Sequence, residues 1–127
     1  MIYERDYIKR LIRDIARGIA KLLLGIDTET PSVELLEDSE RKQLAFGLLE
    51  MLDSGDINGA ENLLWESLED DPPQGLETGL IFYSHLNEKS DAFLEAHDFT
   101  REEVEEGLRR LAGRYGIAEL LPEKSFS

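Results

Sequence analysis

The chain has 127 residues, 28 acidic against 14 basic side chains, a formal net charge of −14 and no cysteine. The lack of cysteine excludes disulfides, thiolate metal ligands and a cysteine nucleophile, and it suits a reducing compartment such as the cytoplasm. The negative charge repels nucleic-acid phosphates, so we expect no direct binding to nucleic acid. Length and composition predict one globular domain over residues 1–127.

Positive charge is concentrated at the start of the chain. Residues 1–25 carry six basic and three acidic side chains, a net of +3, so the rest of the chain sums to −17. Residues 43–88 contain ten acidic side chains and no lysine or arginine. Two interpretations stay open for this stretch: a solvated surface that keeps the protein soluble, or a face that recognises a basic partner.

The first predicted element is a basic amphipathic helix from about Tyr3 to Leu24, within the segment 1–25. Its apolar residues recur at alternating spacings of four and three, which places them on one helical face. This face could pack in the core, form a dimer seam, or bind a membrane surface or a calmodulin-type partner. Core packing is favoured because a small domain cannot leave so much apolar surface unburied. The seam of a possible homodimer would consist of Ile8, Ile12, Ile15 and Ile19.

The middle of the chain, residues 41–99, reads as a series of helices after a connection that contains a short helix over 32–37. The helix from Glu40 to Asp53 is apolar nearly all round, which predicts packing between neighbours. A Ser-Gly-Asp turn leads into a second helix, which Pro72 and Pro73 end. Two further helical faces follow, the second of them short.

The last predicted helix spans 100–116 and has the clearest local signals. Thr100 and Glu103 form a capping box, and acidic residues precede arginines by four positions in the pairs Glu105–Arg109 and Glu106–Arg110. The tail 122–127 is polar and is expected to fray. No stretch alternates with the period of a strand, so the fold class is all-α, a compact bundle of about five to six helices.

Residues 41–74 resemble a tetratricopeptide unit, a helical hairpin of about 34 residues. Ala60 stands at the position of the family's small helix-crossing residue, Leu64 at its Phe and Pro72 at its closing proline, with Gly55 in the turn. A degenerate second unit follows about one repeat length later. The first helix departs from the family pattern at Leu44, Gly47, Leu48 and Met51. The resemblance implies a helical surface of the kind that binds other proteins.

The opening of the chain carries a second resemblance. The pattern Glu4-x-Asp6-Tyr7-Ile8-x-Arg10, followed by an isoleucine-rich basic helix, looks like a functionally uncharacterised family of small bacterial proteins. This resemblance covers most of the chain and implies no activity. The start of the chain mixes charge signs and the best apolar run is five residues, so we predict neither a signal peptide nor a membrane span. We therefore expect the protein to be cytoplasmic.

No motif in the sequence supports catalysis, and we predict a protein that is not an enzyme and needs no cofactor. The turn at 54–59 resembles part of a calcium loop but lacks its first carboxylate and its closing glutamate. The two histidines, His85 and His97, have acidic neighbours but not the spacing of a di-iron motif, so we predict no metal site. Phosphate loops and nucleophile elbows are missing from the sequence.

The leading functional hypothesis is a protein-interaction module that uses an acidic helical face. Its partner would be a basic or amphipathic protein or peptide. Trp65 either packs on a flanking helix or lines the binding surface. Two alternatives remain: a homo-oligomer that pairs through its first helix, and an acidic mimic of DNA. The candidate contact residues are Glu50, Asp53, Glu61, Trp65 and Tyr83.

Overall fold

The structure, a computed structural model, describes residues 2–28 and 31–121, with side chains from residue 6 onward. No strand occurs in this part of the chain, which confirms the all-α prediction. The predicted frayed tail, 122–127, lies outside the described residues. The six α-helices here are α1 Ile2–Ile19, α2 Ser39–Asp53, α3 Ile57–Leu68, α4 Gly75–Asn87, α5 Asp91–Ala96 and α6 Arg101–Arg114.

The apolar face of α1 lies inside the bundle. Ile12, Ile15 and Ile19 have no exposed surface, and Ile8 is half-buried against the same core. The helix packs mainly on α6 and α4 and continues into a π-helical turn, Ala20–Leu24. A pairing of two chains through these isoleucines would therefore require α1 to leave its own core.

Two arginines of α1 form ion pairs within the chain. The guanidinium of Arg13 donates to both carboxylate oxygens of Glu88, at 3.1 and 2.9 Å, and so joins α1 to the end of α4. Arg17 binds Asp27 in the same bidentate way, at 2.6 and 3.1 Å. Part of the positive charge of the first helix is thus balanced by the acidic remainder of the chain.

The helices α2 and α3 pack against each other across a tight turn. Asp56 caps α3 by accepting a hydrogen bond from the Gly59 amide at 3.1 Å, and Gly55 adopts a φ of 100° that favours glycine. Ala60 and Leu64 are fully buried. The prediction that α2 packs on all sides is wrong, because the Phe46 side chain is 51% exposed. Burial on α2 follows one stripe, Ala45, Leu48 and Leu52.

The central helix is α4, which contacts α1, α2 and α6 and is buried along almost its whole length. Its contact with α6 is close because glycines face side chains on both helices. A Cβ atom on Gly107 would lie 2.3 Å from the Tyr83 ring, and one on Gly79 would lie 2.8 Å from Leu111. Gly107 therefore leaves room for Tyr83, and Gly79 leaves room for Leu111, between α4 and α6.

One buried arginine holds the junction of α4, α5 and α6. The Arg101 guanidinium donates to the Asn87 carbonyl at 2.5 Å, the Lys89 carbonyl at 2.9 Å and the Asp91 carboxylate at 2.7 Å. The Asn87 side chain in turn donates to the Lys9 carbonyl on α1 at 3.1 Å. Arg101 thereby satisfies carbonyls that the end of a helix leaves without partners.

The start of α6 confirms the predicted capping box. The Glu103 amide donates to the Thr100 hydroxyl at 3.1 Å, and the Thr100 amide donates to the Glu103 carboxylate at 3.0 Å. The short helix predicted over 32–37 is a 3₁₀ turn, Val33–Leu35.

Candidate functional site

A chain of hydrogen bonds fixes the only tryptophan. The Trp65 indole N–H donates to the Tyr83 hydroxyl at 2.9 Å, and that hydroxyl donates to the Glu61 carboxylate at 2.5 Å. Glu61 lies one helical turn before Trp65 on α3, so both side chains reach the same face. The indole is half-buried. Its orientation is therefore set before any partner arrives.

Tyr83 supplies the middle of this chain from the core. Its side chain is fully buried, and the glycine at Gly107 leaves room for its ring. Burial raises the pKa of Tyr83 far above its usual value, and the nearby Glu61 carboxylate raises it further. The phenol thus stays protonated at neutral pH and remains a donor to Glu61.

Arg110 of α6 covers the outer face of the indole. Its guanidinium carbon lies 3.9 Å from the centroid of the Trp65 ring, within the range of a cation–π contact. The sequence predicted an ion pair between Arg110 and Glu106, and that prediction is wrong: no carboxylate of the described residues pairs with this guanidinium. The companion pair is confirmed, since Arg109 donates to Glu105 at 2.8 Å.

Two cavities flank Arg110 and together form what we call the acidic groove, between α3 and α6. The larger has a volume of about 380 Å³ and the smaller about 190 Å³. Both include Glu61 and Arg110 in their walls, so they lie next to each other at these side chains. The larger is lined by Glu61, Asn62, Trp65, Glu66, Glu69 and Arg110, and the smaller by Glu61, Glu103, Glu106, Gly107 and Arg110. Three glutamates thus share the larger cavity with the indole and Arg110, and three share the smaller cavity with Arg110, Glu61 being common to both.

The candidate contact residues fall into separate places. Glu61, Trp65 and Tyr83 are joined by the hydrogen bonds above, whereas Glu50 is an exposed residue of α2 outside the groove lining. Asp53 belongs to a different cluster at the end of α2. The structure therefore brings three of the five together.

The cluster around Asp53 links α2 to α4. One carboxylate oxygen of Asp53 lies 2.7 Å from His85 Nε2 and 2.5 Å from the Lys89 ammonium. Partial burial opposes ionisation of Asp53, but its hydrogen bonds to Lys89 and His85 outweigh that effect and lower its pKa. His97 is held elsewhere, with Nδ1 2.7 Å from the Phe93 carbonyl.

A third cavity, of about 460 Å³, lies beside His85 and is mainly apolar. Its walls come from the 3₁₀ turn, α2 and α4, and Phe46 stands half-exposed among them. The Ser84 hydroxyl is buried there without a hydrogen-bond partner. The lining residues are Pro31, Ser32, Val33, Phe46, Leu49, Ile81, Ser84, His85 and Glu88.

Sequence reasoning did not identify the other half of the groove. From the sequence, Glu103 is expected in the capping box of α6 and Arg110 in an ion pair with Glu106. Arg110 and Trp65 are 45 positions apart, so no local pattern could join them. Across residues 2–28 and 31–121, no three metal-binding side chains are grouped to hold a metal ion, and no helix is long and apolar enough to span a membrane.

Comparison with known proteins identifies a family. The model of a family of unknown function, DUF6483, matches residues 2–116. This confirms the expected membership in an uncharacterised family; the tetratricopeptide resemblance found no such support. No match to the chain was found among the curated proteins or the solved structures.

Proposed function

We propose that this chain, which belongs to the DUF6483 family of unknown function, is a non-enzymatic interaction module of the cytoplasm whose acidic groove binds a basic segment of a protein partner. The observation that carries the proposal is the fixed indole of Trp65, which is covered by a guanidinium and shares its cavity with Glu61, Glu66 and Glu69. Because the indole and its carboxylates accommodate the protein's own Arg110, they can also accommodate a cationic side chain of a partner.

Preorganisation supports binding at this groove. A rigid aromatic side chain gives affinity because little conformational entropy is lost when a partner orders it. Trp65 is held by its bond to Tyr83, and Glu61 is held by the same hydroxyl. Tryptophan is also among the residues that contribute most at protein interfaces.

The charge of the whole molecule favours the same kind of partner. A net charge of −14 attracts basic segments over long distances and accelerates their association. The groove concentrates part of that charge beside an aromatic face, which distinguishes it from a uniformly acidic surface.

The resemblance of residues 41–74 to a tetratricopeptide unit is in keeping with this proposal. Helical repeats commonly present binding surfaces on the faces of successive helices. The second helix of the resembling segment is α3, which carries Glu61 and Trp65.

The proposal can be tested with the intrinsic fluorescence of the single tryptophan. Titration with a hexa-arginine peptide is expected to change the emission of Trp65 and saturate, whereas a hexaglutamate peptide should have no effect. At about 1 M salt, where the Debye length falls to about 3 Å, the affinity should drop strongly. Binding that is unchanged at high salt, or no binding of the basic peptide, would contradict the proposal.

A matched pair of variants locates the site. Glu66→Gln with Glu69→Gln removes two groove charges and should weaken binding by about threefold to tenfold, since each exposed charge pair contributes about 0.2–1 kcal/mol. Glu34→Gln with Glu119→Gln makes the same change in net charge at exposed positions outside the groove. The control should bind like the wild type, and equal weakening in both variants would argue against a localised site.

A further inference from the structure

We infer that Arg110 is a placeholder: in the free protein it occupies the place on Trp65 that an arginine of the partner takes when it binds. This inference rests on the proposed function. It names the side chain of the partner that the groove recognises, an arginine, and the side chain that covers the indole when no partner is bound. The sequence does not suggest this role, because Arg110 lies four residues after Glu106 and is expected to form an ion pair with it.

The contacts of Arg110 support displacement. Its guanidinium lies over the indole at 3.9 Å, yet the described residues offer it no hydrogen bond or ion pair. The Arg110 side chain is exposed and lines both cavities of the groove. A side chain held by one aromatic contact, with open space on two sides, can move without disturbing the core.

Once displaced from the indole, the Arg110 side chain can form an ion pair with Glu106. Glu106 lies one helical turn before Arg110 on α6, the arrangement in which a glutamate and an arginine form an i, i+4 ion pair. An exposed cation–π contact and an exposed i, i+4 ion pair have similar small strengths. Exchange of the first contact for the second therefore offsets part of the cost of displacing Arg110, so Arg110 weakens partner binding without preventing it.

The geometry favours arginine over lysine in the partner. A guanidinium is planar and weakly hydrated, so it can lie on an indole and still donate hydrogen bonds from its edge to flanking carboxylates. Glu61 lines the larger cavity beside the indole, and Glu66 and Glu69 continue that cavity along α3. An ammonium group is more strongly hydrated and has no flat face to match the ring.

The test compares Arg110→Ala with Arg10→Ala in titrations with hexa-arginine and hexalysine peptides. Arg10 is an exposed residue of α1 outside the groove, so its replacement makes the same change in net charge. We expect Arg110→Ala to bind hexa-arginine about threefold to tenfold more tightly than Arg10→Ala does, a gain at or below about one tenfold step of affinity. The gain for hexalysine should be smaller. Far-UV circular dichroism and urea unfolding verify that both variants are folded.

A second measurement observes the displacement itself. In the wild type, the Nε–H resonance of Arg110 should show the ring-current shift of a group above an indole, and it should move toward the position of a free arginine as hexa-arginine saturates the groove. A resonance that stays shifted at saturation would overturn the inference.

The outcomes separate this inference from the proposed function. Equal or weaker binding of hexa-arginine by Arg110→Ala relative to Arg10→Ala would overturn the placeholder role while the acidic groove stands as a binding site. Failure of every variant to bind either peptide would overturn both. Binding of hexa-arginine by Arg110→Ala and not by the wild type would contradict both, because Arg110 would then block the groove permanently and a partner would not displace it.

Discussion

At the scale of single residues, Gly107 controls the geometry of the groove from within. An alanine there would place its Cβ 2.3 Å from the Tyr83 ring and 2.7 Å from its hydroxyl, so the ring must move. We expect Gly107→Ala to lower the free energy of unfolding by about 1–3 kcal/mol, the usual cost of overpacking a core. Urea unfolding measures this loss.

Gly113 on the same helix provides the matched control. Its nearest atom would be 4.0 Å from an added Cβ, so Gly113→Ala meets no obstacle. Replacing a helical glycine by alanine should then raise stability by up to about 1 kcal/mol. A gain of stability in both variants would mean that helix propensity, and not the Tyr83 contact, sets the effect.

Tyr83 also predicts how stability depends on alkaline pH. Its pKa is raised in the folded state by burial first and by Glu61 second, so the contribution of the protonated phenol is complete below the unfolded pKa of about 10 and is lost as the pH rises above it. The stability difference between wild type and Tyr83→Phe should therefore shrink above pH ~10. Urea unfolding across that range tests this, and a constant difference would contradict it.

At the scale of elements, Arg101 joins four helices through one buried guanidinium and the Asn87 amide that it contacts. A lysine cannot reach the separated acceptors that Arg101 bonds, because its single ammonium lacks the fork of a guanidinium. We expect Arg101→Lys to lower the free energy of unfolding by about 2–3 kcal/mol, the magnitude of a lost charged hydrogen bond in a buried place. Hydrogen exchange should increase at the junction of α4 and α5.

The control for this prediction is Arg17→Lys on α1. Arg17 also binds a carboxylate in a bidentate way, but its side chain is 42% exposed and the pair is open to solvent. Such pairs contribute about 0–1 kcal/mol, so the loss should be small. Equal losses in the two variants would show that burial of Arg101 is not what makes it important.

At the scale of the whole molecule, the burial of α1 favours core packing over a dimer seam, and unfolding experiments can test this. Ile15 has no exposed surface within the single chain. Ile15→Ala should lower the free energy of unfolding by about 2–5 kcal/mol, as expected for a large-to-small change in a core. Because the contact is within one chain, the midpoint of urea unfolding should not depend on protein concentration. A midpoint that rises with concentration in the wild type would instead indicate stabilisation by pairing.

Structural features that depend on residues close together in the sequence were predicted well, and features that depend on distant residues were predicted poorly. The capping box of Thr100 and Glu103 lies within four residues, and its prediction is confirmed. The packing of α2 was predicted less well, because its sequence pattern could not show that Phe46 faces the third cavity and solvent. At the candidate site, the aromatic and acidic character of Trp65, Tyr83 and Glu61 was enough to choose them as contact residues. The sequence could not show that they contact one another, because this depends on how α3 packs on α4.

The sequence alone determined the features that depend on neighbouring residues. Apolar periodicity gave the helices, and caps, glycines and prolines gave their ends. The sequence also showed that a basic first helix precedes an acidic remainder of the chain. Tertiary structure decided what depends on residues far apart in the chain. It placed Ile12, Ile15 and Ile19 in the core and joined Trp65 to Tyr83 through the space that Gly107 leaves. It also set Arg110 on an indole 45 residues away instead of on the glutamate one turn before it. The two contacts are of similar strength, so helix packing, which the sequence does not display, selects between them.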